Sequence, residues 1–162
     1  MVFNRLYFVA QMMFHIEKDT EIAVFEMGMS MPGEMARLVE IARPQTAVVT
    51  IIGVSHIGNL GSREAMAFEK GHIVKYVGSS HGGMCYICGN GDLPALAREH
   101  IPYELCAGGC ESIFYGTEPS CQIQAKDIQV TESGQSFRYH GREDCNVELS
   151  VMGGHNVSNA VV

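Results

Sequence analysis

Apolar residues fall in short blocks broken by Gly, Pro and charged residues, and the period of the blocks changes part-way along the chain. Ile22-Ala23-Val24-Phe25 and Ala47 to Ile52 are continuous apolar or β-branched runs, too short for helices. They read as strands, Ile22 to Glu26 and Ala47 to Ile52, the second buried on both faces. Between them, Pro32-Gly33-Glu34 opens a helix that runs to Ala42, with Pro32 near its first turn and Glu34 at the positive end of the dipole. Arg43-Pro44 stops it. Ser62 is a good N-cap for a helix from Arg63 to Val77. Met84 to Cys88 reads as a third strand and Asp92 to His100 as a third helix. Tyr7 to His15 fits a short amphipathic helix, and Tyr103 to Leu105 and Ile113 to Tyr115 fit short strands.

Beyond this point strict alternation replaces the mixed pattern. Ile123 to Thr131, Ser136 to His140 and Asn146 to Val151 alternate apolar and polar residues, divided by turns such as Glu132-Ser133-Gly134-Gln135. This predicts an antiparallel meander. Gly153 to Asn159 reads as the start of a helix. The whole is an α/β chain: a three-layer αβα arrangement on a mostly parallel sheet, with a β meander toward the C-terminus. The divisions expected are a leader over 1–16, a βα part over 17–120, the meander over 121–152 and the final helix start over 153–162. In parallel sheets, ligands sit beyond the carboxyl ends of the strands. Glu26 and His56 lie at or just past two such ends, and Lys70 follows on the next helix.

At 162 residues, with 46% hydrophobic content, the chain suits one domain or part of a larger one. The formal net charge is −7, and no Lys/Arg cluster offers a face to nucleic acid. No apolar run approaches the ~20 residues needed to span a bilayer, and the first residues lack the layout of a signal peptide. A cytoplasmic setting is the expectation. Cys85-x2-Cys88 and Cys106-x3-Cys110 come close to a zinc-ribbon spacing. Strand residues three apart point to opposite faces, so ordinary reduced thiols are favoured over a zinc site.

Several segments, in order, carry a resemblance. They are Glu26-Met27-Gly28-Met29-Ser30-Met31-Pro32-Gly33-Glu34-Met35, Ala42-Arg43-Pro44, Ser55-His56, Leu60-Gly61-Ser62-Arg63-Glu64 and Glu69-Lys70-Gly71. Asn90-Gly91-Asp92, Ala125-Lys126-Asp127-Ile128 and Gly153 to Asn159 follow. Together they resemble the central ATP-binding domain of the Mur ligase family over residues 17 to 162. The resemblance implies a ligase that joins D-alanyl-D-alanine to UDP-N-acetylmuramoyl-tripeptide. ATP phosphorylates a carboxylate, and an amine attacks the acyl phosphate. It implies ATP and Mg2+ as cofactors, and ATP and a UDP-N-acetylmuramoyl-peptide as partners. Glu26 and His56 would be magnesium ligands, Lys70 a carbamylated lysine, and Asn90, Asp92, His155 and Asn156 neighbours of the nucleotide.

The departures are specific. Ile51 stands where the family pattern has Asn, Gly58 where an acid is usual, and His72 where Glu follows Lys-Gly. No G-x-x-x-x-G-K-[ST] loop occurs, nor any Gly-Lys pair. The expectation is that the family's UDP-binding and C-terminal domains are absent from these 162 residues. The expectation is therefore a chain inactive in ligation by itself, with an exposed sheet edge that Met1 to Phe14 or a second copy would cover. The alternative is a non-catalytic α/β remnant or altered scaffold that binds a partner, or zinc at the four cysteines.

Overall fold

The computed structural model describes residues 3–52, 57–79, 83–92, 95, 96, 99 and 111–162. Five helices and six strands alternate through them: α1 (Phe3–Met13), α2 (Glu34–Ala42), β1 (Thr46–Val49), α3 (Ile57–Leu60), α4 (Arg63–Gly78), β2 (Met84–Cys88), β3 (Glu111–Gly116), β4 (Ile123–Thr131), β5 (Gly134–His140), β6 (Cys145–Leu149) and α5 (Gly154–Ala160). The strands form one mixed sheet in the order β1-β2-β3-β4-β5-β6. The first four run parallel, and β4, β5 and β6 form the antiparallel meander. The α/β class and the change of grammar are therefore as the sequence predicts.

The core lies between α4 and the parallel strands. α4 presents Met66, Ala67, Val74 and Val77 inward and packs on β1, β2 and α2, joined by Ala47, Val49, Cys85, Ile87 and Tyr115. Ser62 caps it as expected: its Oγ accepts a hydrogen bond from the Ala65 amide at 3.1 Å. At α2 the cap differs. Glu34 is the first helical residue, and the N-cap is Gly33 at φ 81°, a left-handed conformation that favours glycine. Pro32 lies outside the helix.

Two predicted strands need correction. Ile22 to Glu26 forms no strand; Ile22 is 82% exposed and Val24 90%. A strand exists only when its backbone groups find a partner. This segment instead lines one wall of a cleft of about 750 Å³, with β1, Lys70 and Ile73 among the other walls. The second strand is Thr46–Val49, and it alternates exposed and buried residues rather than being buried on both faces. Among the described strands it is the edge of the sheet, paired with β2 alone. Nor does the described part of Met1 to Phe14, residues 3–14, fill the gap: α1 packs on α2, leaving Tyr7, Phe8 and Phe14 exposed. The predicted helix over 92–100 is described only in part, and Tyr103 to Leu105, Cys106 and Cys110 lie outside the described residues. Cys85 and Cys88 are buried in β2. No helix among the described residues is long and apolar enough to cross a membrane.

Candidate functional site

Parallel pairing of β1, β2 and β3 places Ile51-Ile52, Gly89 to Asp92 and Thr117 along one edge of the sheet, the edge of strand carboxyl ends. The described strands lead outward from β1 in one direction, so among them the winding could reverse only at β1's open edge. Open α/β sheets bind ligands at such reversals. The cleft lies there, bounded by Glu21 to Phe25 on one side and Lys70 on another.

Lys70 projects from α4 toward the end of β1, where its Nζ donates to the Ile51 carbonyl. Its half-buried position lowers the pKa of the amine, because burial disfavours the charged form. Glu26 lies just past the cleft wall. It is exposed, and no described residue bonds to its carboxylate. His56 lies outside the described residues.

The segment after Glu26, with its glycines ahead of a helix, has the look of an anion-binding loop. The three amides nearest the helix are already committed. Ser30 and Met31 donate to Glu34 Oε2 at 2.6 and 3.1 Å, and Gly33 donates to Glu69, with both oxygens at 2.9 Å. A phosphate arriving at the start of α2 would meet two carboxylates where these three N–H groups already point.

A second set of residues lies past β2. Asn90 spans three elements: its Nδ2 donates to Ser158 Oγ at 2.7 Å, and its Oδ1 accepts from the Thr117 amide at 2.7 Å. Gly116 must be glycine for this contact, since a Cβ there would lie 2.1 Å from Asn90 Oδ1. Asp92 pairs with Arg63, which donates at 2.6 and 2.9 Å from its two terminal nitrogens. Arg63 also donates to the Ile52 carbonyl, tying the end of β1 to the end of β2. Asn156 Nδ2 donates to the Met152 carbonyl at 2.8 Å. His155 is exposed, its ring beside Gly153. Asn90 thus brings the β2 end and α5 together, and Arg63 on α4 holds the ends of β1 and β2.

Hydrogen bonds from Arg63 hold the Asp92 carboxyl below its usual range. Its contribution to stability is present above the ordinary carboxylate pKa and is lost as pH falls through the lowered folded value. An NMR titration of Asp92 is expected to give a depressed midpoint that Arg63→Met returns toward normal. An unchanged midpoint in the variant would contradict this. The pair is exposed, so little stability rests on it.

Residues 3–162 match the family described as the Mur ligase middle domain. The chain belongs to this family. It is 38% identical over 144 residues to the UDP-N-acetylmuramoyl-tripeptide--D-alanyl-D-alanine ligase of Bacillus subtilis (strain 168), covering 89% of this chain and 29% of that protein. It is 30% identical over 146 residues to the ligase of the same name from Mycobacterium tuberculosis (strain ATCC 25618 / H37Rv), covering 89% and 27%. A crystal structure of MurF from Acinetobacter baumannii superposes with a TM-score of 0.82 at 25% identity, covering 94% of this chain and 32% of that one. MurF from Thermotoga maritima, solved in complex with ADP, has the same fold at a TM-score of 0.63 and 24% identity, over 82% of this chain and 29% of that one. The chain thus spans about a third of the length of the relatives it matches.

Within this Mur ligase domain, the described residues alone do not make a metal centre. No group of three or more His, Cys, Asp or Glu side chains gathers among them at metal-binding distance, and Lys70 as an ammonium would repel a cation. The donor chemistry suits magnesium if Lys70 becomes an anion, since Glu26 offers an uncommitted carboxylate and magnesium prefers oxygen ligands with several waters retained. Arg63, Glu34 and Glu69 went unassigned in the sequence. Arg63 and Glu69 act through partners distant along the chain, Asp92 and Gly33, whereas Glu34 acts on amides just ahead of it.

Proposed function

We propose that this chain is the metal- and nucleotide-handling part of a ligase that joins D-alanyl-D-alanine to UDP-N-acetylmuramoyl-tripeptide through an acyl phosphate. One observation carries the reading: a lysine with a depressed pKa at the end of β1 shares a cleft with the segment that leads to Glu26. Depression of the pKa raises the fraction of neutral amine, the form that attacks CO2. The ammonium first releases one proton; the neutral amine forms the N–C bond to CO2, a second proton leaves to solvent, and what was a cation is then a carbamate anion. Glu26, His56 and the Lys70 carbamate would hold magnesium, whose charge offsets that of the phosphates and the transition state.

Arg63 and Asp92 fix the relative positions of the β1 and β2 ends. Asn90, with both ends of its amide occupied, holds α5 in place, and His155 and Asn156 on that helix would border the adenine. Phosphoryl transfer depends mostly on positioning and charge stabilisation. Glu34 and Glu69 occupy the Ser30, Met31 and Gly33 amides, and the sequence has no Gly-Lys pair, so this loop is not the phosphate cradle in our reading. The cleft beside β1 has room for a strand that would carry it. The same open edge offers a second copy of the chain a strand to pair with.

Calorimetric titration of the 162-residue chain with Mg-ATP is expected to give weak binding that Glu26→Ala and His56→Ala each abolish, with no ligation. No heat from the wild-type chain, or heat unchanged in both variants, would overturn the assignment.

A further inference from the structure

Two buried carboxylates hold the Glu26-bearing segment, Glu34 from the start of α2 and Glu69 from α4, and the proposed chemistry makes no use of them. Glu69 is 6% exposed and Glu34 7%. No basic side chain among the described residues pairs with either. They accept from backbone amides: Glu34 through Oε2 from Ser30 and Met31, and Glu69 through both oxygens from Gly33. A carboxylate buried without a counter-ion depends on such donors. If the loop shifts, a buried charge is left bare.

Glu69 differs from Glu34 in reach. Glu34 closes a local turn at the start of its own helix. Glu69 lies on α4, 36 residues from Gly33, and immediately precedes Lys70. Successive helical side chains diverge by about 100°, so Glu69 meets the loop ahead of α2 while Lys70 meets the Ile51 carbonyl. One turn of α4 therefore contacts both sides of the candidate metal site.

We propose that Glu69 is a positioning residue: by accepting the Gly33 amide it fixes the Met27–Gly33 segment, and with it Glu26, in register with Lys70. This rests on the reading of Glu26 and Lys70 as metal-site residues given above. Buried Met29 and Met35 anchor the segment in the core on either side of the clamp, so a displacement at Gly33 passes along the chain toward Glu26.

The test compares Glu69→Met, which fills the space without an acceptor, with Glu69→Gln, which keeps an acceptor without the charge. Amide exchange of the metal-free 162-residue chain, followed by NMR, should quicken from Glu26 to Gly33 in Glu69→Met and stay near wild type in Glu69→Gln. With Mn2+ as probe and bicarbonate present, Glu69→Met should weaken binding by roughly 10- to 100-fold, as loss of an outer-shell partner does, while Glu69→Gln retains most of it. Faster exchange at Gly33 alone, with Glu26 to Met29 unchanged, would overturn the proposal. So would equal loss of Mn2+ binding in both variants, which would make Glu69 a source of charge. If the wild-type chain binds no Mn2+, the metal-site reading fails, and the exchange pattern still decides whether the clamp reaches Glu26. Should Glu69→Met not fold by circular dichroism, Glu69→Asp replaces it: charge kept, reach shortened, the same exchange pattern expected.

Discussion

Replacing Tyr115 with alanine is expected to lower the free energy of unfolding by about 3–5 kcal/mol, the range for deleting a large buried aromatic ring. Tyr115 is fully buried and the largest such side chain described. It sits on β3 in the cluster that also holds Val49 of β1 and Ile87 of β2. Its hydroxyl donates to the Val49 carbonyl at 3.4 Å, a long bond. Most of the effect should therefore come from the ring, and Tyr115→Phe should cost only about 0.5–1.5 kcal/mol. Burial also raises the phenol pKa far above its usual value, with nearby Cys88 adding to the shift, so the ring stays neutral through any ordinary alkaline range. Urea unfolding followed by circular dichroism measures both variants. If the alanine variant loses no more than the phenylalanine variant, the ring is not what holds β3 to the core.

The second large effect concerns Lys70. In [13C]bicarbonate, the chain is expected to show a carbamate resonance by 13C NMR that Lys70→Arg abolishes. Because burial lowers the Lys70 pKa, the resonance should appear at a lower pH than for an ordinary exposed lysine. The same shift has a sign in stability. In the absence of CO2, between the lowered folded pKa and the ordinary lysine value, the unfolded chain binds the extra proton, so stability rises with pH across that window. Lys70→Met should remove that slope. A carbamate resonance that persists in Lys70→Arg would place the modification on another lysine. No resonance in the wild type would remove the source of negative charge that the metal site requires.

How much of this was legible in the chain depended on how local each feature is. The Ser62 cap, the α4 start and strand β2 are set by residues within a few positions of one another, and they appear where the pattern puts them. The meander is legible for the same reason, since alternation and turn residues act over short spans. Ile22 to Glu26 has the composition of a strand and forms none, because composition supplies half of a hydrogen-bonded ladder and the other half must come from a neighbour. Lys70 and Glu26 were singled out by their settings. That Lys70 reaches a β1 carbonyl and shares a cleft with the segment before Glu26 depends on how α4 crosses the sheet.

By itself, the sequence determined the α/β class, the order of most elements, the family, and which acid, imidazole and amine to examine. Only the tertiary structure decided that the loop after Glu26 is closed by two carboxylates, that Asn90 and Asp92 are held by partners within the protein, and that β1 is an open edge. The physical reason is the same in each case. A buried carboxylate or an edge strand is defined by what lies against it, and for Glu69, Asn90, Asp92 and β1 that is decided by parts of the chain distant in sequence.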